Sequence, residues 1–117
     1  LLADMLNEGT ARLSAAEFSQ QMQALGASAR AGGDLTSLSV SVSAIERNFG
    51  RALELWGEMI RTPRLQQDEF ERVKAIAIEG IRQSLDEPAV IAARVGMRNL
   101  YGDPSAYAWP ASGTVHT

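Results

Sequence analysis

The stretch DLTSLSVSVS, residues 34–43, determines the fold class because its hydrophobic period is two. Leucine and valine alternate with serine from residue 38 to residue 43, which is typical of a strand with one apolar and one solvated face. Small residues at 27–31 precede Gly32-Gly33-Asp34. We predict that they form the partner strand and that the two glycines and the aspartate make the turn. The segment therefore predicts a β-hairpin.

Two helices are predicted before the hairpin. The opening segment LLADMLNEG has apolar residues at helical spacing and ends at Gly9, a residue type that often terminates helices. A second helix begins at Ser14, which forms a capping box with Glu17, and ends at Gly26. Both helices therefore have a stop signal, and the second also has a start signal.

Three helices are predicted after the hairpin. The first begins with a capping box of Ser43 and Glu46 and ends near residue 61, because Pro63 prevents its continuation. The second spans residues 66–85, and the third begins at Pro88. We expect the first of these helices to bury an apolar stripe that consists of Ile45, Phe49, Leu53, Trp56 and Ile60.

This order of elements predicts an α+β fold, with helices packed on one face of an antiparallel β-sheet of which this chain supplies about one hairpin. A single hairpin cannot cover so much helical apolar surface. We therefore expect residues 1–117 to be part of one domain, truncated at both ends, with further strands outside the chain. The strand at 35–43 would then have an open edge, and we expect the isolated chain to associate with itself or to exchange elements.

Composition excludes several classes of function. Lys and Arg total 11 and Asp and Glu total 14, which gives a net charge of −3 and lacks the basic footprint of a nucleic-acid binder. The absence of cysteine excludes disulfides, thiolate metal sites and cysteine nucleophiles, and it leaves the compartment unidentified. No apolar run reaches the length of a bilayer span.

Short motifs along the chain occur in an order that resembles the pitrilysin/insulinase family of zinc metallopeptidases. They are MLxxGT (5–10), LGA (25–27), RALEL (51–55), MIRTP (59–63), FERV (70–73), DEP (86–88) and YGD (101–103). Each motif alone is weak, and their common order over nearly the whole chain carries the resemblance. It implies the fold of that family and, for its active members, hydrolysis of peptides at a zinc ion.

Active members of the family carry H-x-x-E-H on the helix before MLxxGT. The two histidines bind zinc, and the glutamate is the general base that activates the metal-bound water. By resemblance, the glutamate position falls at Ala3, the second histidine at Asp4, and the first histidine before Leu1. The third zinc ligand, a glutamate of the long helix, falls at Gly80, or at Glu79 if the register slips by one residue.

Alanine and glycine offer no side-chain donor, and one carboxylate does not make a three-ligand zinc site. We therefore predict no catalytic residue, no metal ligand set and no cofactor bound by this chain. The resemblance implies the non-catalytic half of a clamshell peptidase, which encloses peptides together with a zinc-containing H-x-x-E-H half. Its partners would be that catalytic half and the shared peptide substrate. Two alternatives remain open: a structural core-type subunit of the same fold in a respiratory or processing complex, and an autonomous helical interaction module.

Other chemistry-bearing residues favour ordinary structural explanations. Asp4 and Glu8 stand one helical turn apart, which is common on a solvated helix face. His116 is the only histidine and is close to the end of the chain, where orienting partners are scarce. Aromatic residues on an irregular arm often anchor contacts. Tyr101, Tyr107 and Trp109 are therefore candidates for an interface.

Overall fold

A computed structural model describes residues 1–115, and His116 lies outside that part of the chain. The chain divides into two compact units, Leu1–Glu71 and Arg72–Thr117. The elements are α1 (Leu2–Leu6), α2 (Ala15–Ala24), β1 (Ser28–Gly33), β2 (Leu38–Ser43), α3 (Phe49–Arg61), α4 (Gln67–Ser84) and α5 (Pro88–Tyr101), with 3₁₀ turns at Glu46–Asn48 and Ala106–Ala108. The predicted α+β class is confirmed. Within residues 1–115, no helix is both long enough and apolar enough to cross a bilayer.

The hairpin of the first unit has one core face and one solvated face, as the alternation predicts. β1 and β2 pair antiparallel, with Ala29 opposite Val42 and Ala31 opposite Val40. These four side chains pack against the hydrophobic core, whereas the serines of β2 are exposed. The helices of this unit therefore pack on one face of the sheet, as expected for the α+β arrangement.

The hairpin turn differs from the predicted one. Gly32 and Gly33 are the last two residues of β1, and the turn consists of residues 34–37. The Asp34 carboxylate accepts hydrogen bonds from the backbone N–H groups of Thr36 and Ser37, both at 2.8 Å. Together with the Ser37 hydroxyl, these donors lower the pKa of Asp34 to about 2, and the Thr36 N–H makes the largest contribution. The aspartate alone therefore supplies the turn chemistry.

The core of the first unit lies between the hairpin and three helices. Leu55 and Ala52 of α3 are fully buried, with 0% exposure. The capping box of Ser14 and Glu17 begins α2 as predicted, and this helix contributes two buried side chains. The buried cluster comprises Leu6, Phe18, Met22, Ala52, Leu55 and Met59.

The second predicted capping box is wrong. Ser43 is the last residue of β2 and pairs with Ser28, so its backbone is extended and belongs to the sheet. A 3₁₀ turn follows, and α3 begins only at Phe49, without a side-chain cap. The S-x-x-E spacing cannot distinguish a cap from the end of a strand, because both place serine before a helical segment.

The predicted buried stripe of α3 is also wrong. Phe49, Leu53 and Ile60 are 44%, 42% and 42% exposed. The buried face is the adjacent one, which consists of Ala52, Leu55 and Met59. At 100° per residue the two sets form neighbouring arcs of one wide apolar surface. The small side chain of Ala52 lies on the arc that faces the core, so α3 buries that arc and leaves the larger side chains accessible.

The second unit contains most of α4 together with α5. Helices at 67–84 and 88–101 agree with the predicted spans within one residue. Val73, Ile81 and Ala108 are its buried apolar residues in the described part of the chain. The Arg94 guanidinium donates a hydrogen bond of 2.8 Å to the Ser84 hydroxyl, which ties α5 to the end of α4. No residue of α5 itself is buried.

Candidate functional site

The two motif positions before MLxxGT lie in α1 and differ in exposure. Met5 and Leu6 anchor this helix and are only 4% and 7% exposed. The side chain of Asp4 is 61% exposed, and its Oδ2 lies 3.0 Å from the amino nitrogen of Leu1. Ala3 is partly buried. The position that would carry a general base therefore presents a methyl group, and the next position presents a solvated carboxylate.

The predicted placement of Asp4 and Glu8 one turn apart on a single helix face is wrong. α1 ends at Leu6, and Asn7 caps it, so Glu8 lies outside the helix. Two residues after this cap, Gly9 takes a positive φ of 101°, which directs the chain into a turn. Asp4 and Glu8 therefore do not share a helix face.

The third motif position lies in the second unit and is also exposed. Gly80 is in α4, and a Cβ added there would meet no atom within 4 Å. Its neighbour Glu79 lies 3.9 Å from the Arg82 guanidinium and accepts a hydrogen bond from Gln83. Glu79 thus takes part in surface contacts along its own helix, and these contacts are typical of a solvated helix face.

These side chains cannot hold a catalytic zinc ion. Ala3 and Gly80 have no side-chain donor atom. Asp4 supplies one carboxylate, and Glu79 in the slipped register would supply a second, where a catalytic zinc site needs three protein ligands. Among the described residues, no group of three or more His, Cys, Asp or Glu side chains could hold a metal ion. The residues present therefore do not fit zinc, and no step of a zinc-dependent hydrolysis can be assigned to them.

The Gly9–Thr10 turn, by contrast, is tightly packed. A Cβ at Gly9 would overlap the Leu13 carbonyl oxygen and lie 2.8 Å from the carbonyl carbon of Ser14. Thr10 is completely buried. Its hydroxyl accepts hydrogen bonds from the backbone N–H groups of Leu13, at 3.1 Å, and of Arg12, at 3.3 Å. The GT residues of MLxxGT therefore have a structural role.

The same turn is bonded to the TP residues that follow α3. The Ala11 N–H donates to the Thr62 carbonyl at 2.8 Å, and the Arg64 N–H donates to the Gly9 carbonyl at 3.2 Å. Arg12 forms an ion pair with Glu58 beside these bonds. Two motifs that are far apart in the sequence thus form one hydrogen-bonded strap between the two ends of the first unit.

Sequence reasoning missed Asn7, which joins α1 to the outer edge of β1. Its Nδ2 donates to the carbonyl oxygens of Ala3 and Ala31, both at 3.0 Å, and its Oδ1 accepts from the Ala31 N–H at 2.9 Å. An asparagine at a helix end gives no signal for a partner 24 residues away. This contact could therefore be found only in three dimensions.

The three aromatic residues that are candidates for an interface lie around the end of α5. The rings of Tyr101 and Tyr107 are 5.5 Å apart, and the Arg98 guanidinium lies 4.9 Å from the centre of the Trp109 ring. The Trp109 indole N–H donates to the Asp103 carbonyl at 3.1 Å. The Arg98 hydrogen bond lowers the pKa of the Asp103 carboxyl. The side chains of Tyr101, Tyr107 and Trp109 remain 46–48% exposed.

A family model and solved structures are similar to this chain. The family model for insulinase, peptidase family M16, matches residues 1–102. The structure is similar to the crystal structure of a peptidase M16 inactive domain from Pseudomonas fluorescens, with a TM-score of 0.89 and 26% identity. It is also similar in fold to a protease from Helicobacter pylori, with a TM-score of 0.76 and 21% identity. No curated protein sequence matches the chain.

The chain corresponds to only part of each solved relative. The matches cover 97% and 98% of this chain, respectively, but 28% of the chain of each relative. This is consistent with the chain being one part of a larger protein of the same family.

Proposed function

Since this chain belongs to the insulinase family, peptidase family M16, we propose that it is part of a non-catalytic domain that assists peptide hydrolysis by a separate H-x-x-E-H domain. The observation that carries the proposal is the chemistry at the motif positions. By resemblance, Ala3 falls at the general-base position, and Gly80, or Glu79 if the register slips by one residue, falls at a zinc-ligand position. The similarity to an M16 inactive domain supports it.

The contrast within the motif favours a domain that keeps the family fold without its chemistry. Gly9 and Thr10 make packed, hydrogen-bonded contacts, whereas Asp4 is solvated. A protein selected for hydrolysis needs the motif carboxylate and imidazoles in place. A protein selected for association needs only the shape that the turn and the core maintain.

We further propose that the aromatic group, defined as Tyr101, Tyr107 and Trp109, contacts the catalytic partner. Arg98 stacks on Trp109, and Asp103 holds both of these side chains, so little side-chain entropy is lost on binding. Exposed aromatic rings are among the side chains that contribute most to protein interfaces.

The proposal is tested by mixing the purified protein with a catalytic M16 domain and measuring cleavage of a quenched fluorescent peptide. Addition of one equivalent should raise kcat/KM by about ten-fold, which corresponds to about 1.4 kcal/mol of transition-state stabilisation. The protein alone should cleave nothing. Calorimetric titration with zinc should show no stoichiometric site with a Kd below about 1 µM. Cleavage by the protein alone, or such a zinc site, contradicts the proposal.

A matched pair of variants tests the contact surface. Tyr107→Ala should weaken association with the catalytic domain about ten-fold or more. Ile91→Ala, which shortens a 43%-exposed apolar side chain of α5, should leave it unchanged. If the two substitutions change the affinity equally, the aromatic group does not form the interface. Incorporation into a stable complex that leaves peptide cleavage unaffected would instead favour a structural subunit.

A further inference from the structure

The two long edges of the hairpin differ in how their backbone groups are used. In an antiparallel pair, alternate residues direct N–H and C=O away from the partner strand. Ala31 is one of these residues in β1, as its backbone N–H and C=O both bond to the Asn7 side chain and not to β2. By the two-residue period, Ala29 and Gly33 also face outward from β1, and Val40, opposite Ala31, faces outward from β2.

The side-chain amide of Asn7 bonds to the backbone of Ala31 in the way that a residue of a neighbouring strand would. It returns one donor and one acceptor to the same residue, at 3.0 and 2.9 Å. Its second N–H bonds to the Ala3 carbonyl within α1, also at 3.0 Å. This third bond fixes which way the amide points, since exchanging its oxygen and nitrogen would break all three bonds.

Ala31 is the middle of the three outward-facing residues of β1. Strand addition requires hydrogen bonds at successive outward positions, two residues apart. A peptide that pairs with Ala29 and Gly33 must also pair with Ala31, which lies between them. Among the described residues, Ala29 and Gly33 have no outward hydrogen-bond partner, so Asn7 is the group that stands in the way.

We propose that Asn7 blocks the outer edge of β1 against addition of an extended polypeptide strand. Exposed strand edges are templates for pairing with other chains, and Asn7 closes this one from within the molecule by occupying its central position. The proposal concerns strand pairing alone and holds whether or not the chain assists a peptidase.

Hydrogen exchange measured by NMR tests the contact, first in the wild-type protein and then in two variants. In the wild-type protein, the Ala31 amide should exchange at least about ten-fold more slowly than the amides of Ala29 and Gly33. In Asn7→Ala it should exchange as fast as they do. Gln20→Ala, which removes another exposed amide side chain, should leave Ala31 protected. Equal exchange of the three amides in the wild-type protein would overturn the proposal.

Peptide binding tests the block itself. The probe is a fluorescent copy of residues 38–43, LSVSVS, measured by anisotropy. Asn7→Ala should bind it about ten-fold more tightly than the wild-type protein, with amide shift changes at Ala29, Ala31 and Gly33. Asn7→Ser, whose side chain is too short to reach both Ala31 groups, should behave in the same way and provides a second variant if Asn7→Ala does not fold. Equal affinity in the wild-type protein and a folded variant would show that Asn7 does not block the edge.

Discussion

The segment at residues 3–10 contains both buried positions that bond to other segments of the first unit and a largely exposed motif position. Gly9 and Thr10 are buried and bonded to two other segments, so the packing dictates their identity. Asp4 is largely exposed, as is Gly80 in the second unit, and little in the packing dictates either. The comparison shows that one sequence motif can combine residues kept for shape with positions that only chemistry would constrain.

The sharpest test of this comparison is Gly9→Ala. The added Cβ would overlap the Leu13 carbonyl, and the positive φ is unfavourable for alanine. We expect a loss of about 4 kcal/mol in the free energy of unfolding, or no folded protein. The measurement is urea denaturation followed by circular dichroism.

The control for that variant is Gly32→Ala. A Cβ at Gly32 meets no atom within 4 Å, and its φ is not positive. The substitution should stabilise the protein by about 0.5 kcal/mol through the unfolded state. Equal effects of the two glycine substitutions would break the distinction between packed and unconstrained positions.

A leucine pair on α3 extends the comparison to the core. Leu55→Ala should cost about 3 kcal/mol, because Leu55 is completely buried. Leu53→Ala should cost about 0.5 kcal/mol, because Leu53 is 42% exposed. Denaturation midpoints of the two variants and the wild-type protein give the two losses of unfolding free energy. The opposite order would mean that the stripe predicted from the sequence, and not the observed one, faces the core.

A smaller effect is expected at the hairpin turn, from pH. The pKa of Asp34 is lowered to about 2 from an ordinary 3.8, so its stabilising contribution is present above pH 3.8 and is lost as the pH falls through 2. The stability advantage of the wild-type protein over Asp34→Asn should therefore shrink between about pH 5 and pH 2. Unfolding measured across this range checks it, and an advantage that grows toward acid would contradict it.

The smallest effect is expected at the motif carboxylate. Asp4→Asn removes a solvated charge and should change the free energy of unfolding by no more than about 0.5 kcal/mol. A large loss in the same urea experiment would place Asp4 among the residues that the fold requires.

Local sequence rules predicted the positions of the helices and strands better than they predicted the helix caps and the buried helix faces. The capping box at Ser14 was correct, because its signal is contained within four residues. The same spacing at Ser43 was misleading, because strand pairing with Ser28 took that residue into the sheet. The buried face of α3 could not be chosen from periodicity, since the predicted set around Phe49 and the observed set around Met59 lie on adjacent arcs of one apolar surface.

The candidate site shows the same division. The lack of donor atoms at Ala3 and Gly80 follows from residue type alone, and no coordinates are needed to see it. The contact of Asn7 with Ala31 and the strap between Gly9 and Arg64 depend on long-range packing. Neither asparagine nor glycine identifies its distant partner in the sequence.

The strap between the Gly9–Thr10 turn and residues 62–64 also affects the order of folding. Its two halves are separated by about fifty residues, so the loop-closure entropy must be overcome before these bonds form. During synthesis the turn cannot find its partner until Arg64 has left the ribosome. The bonds between this turn and residues 62–64 are therefore among the last contacts of the first unit that can form during synthesis.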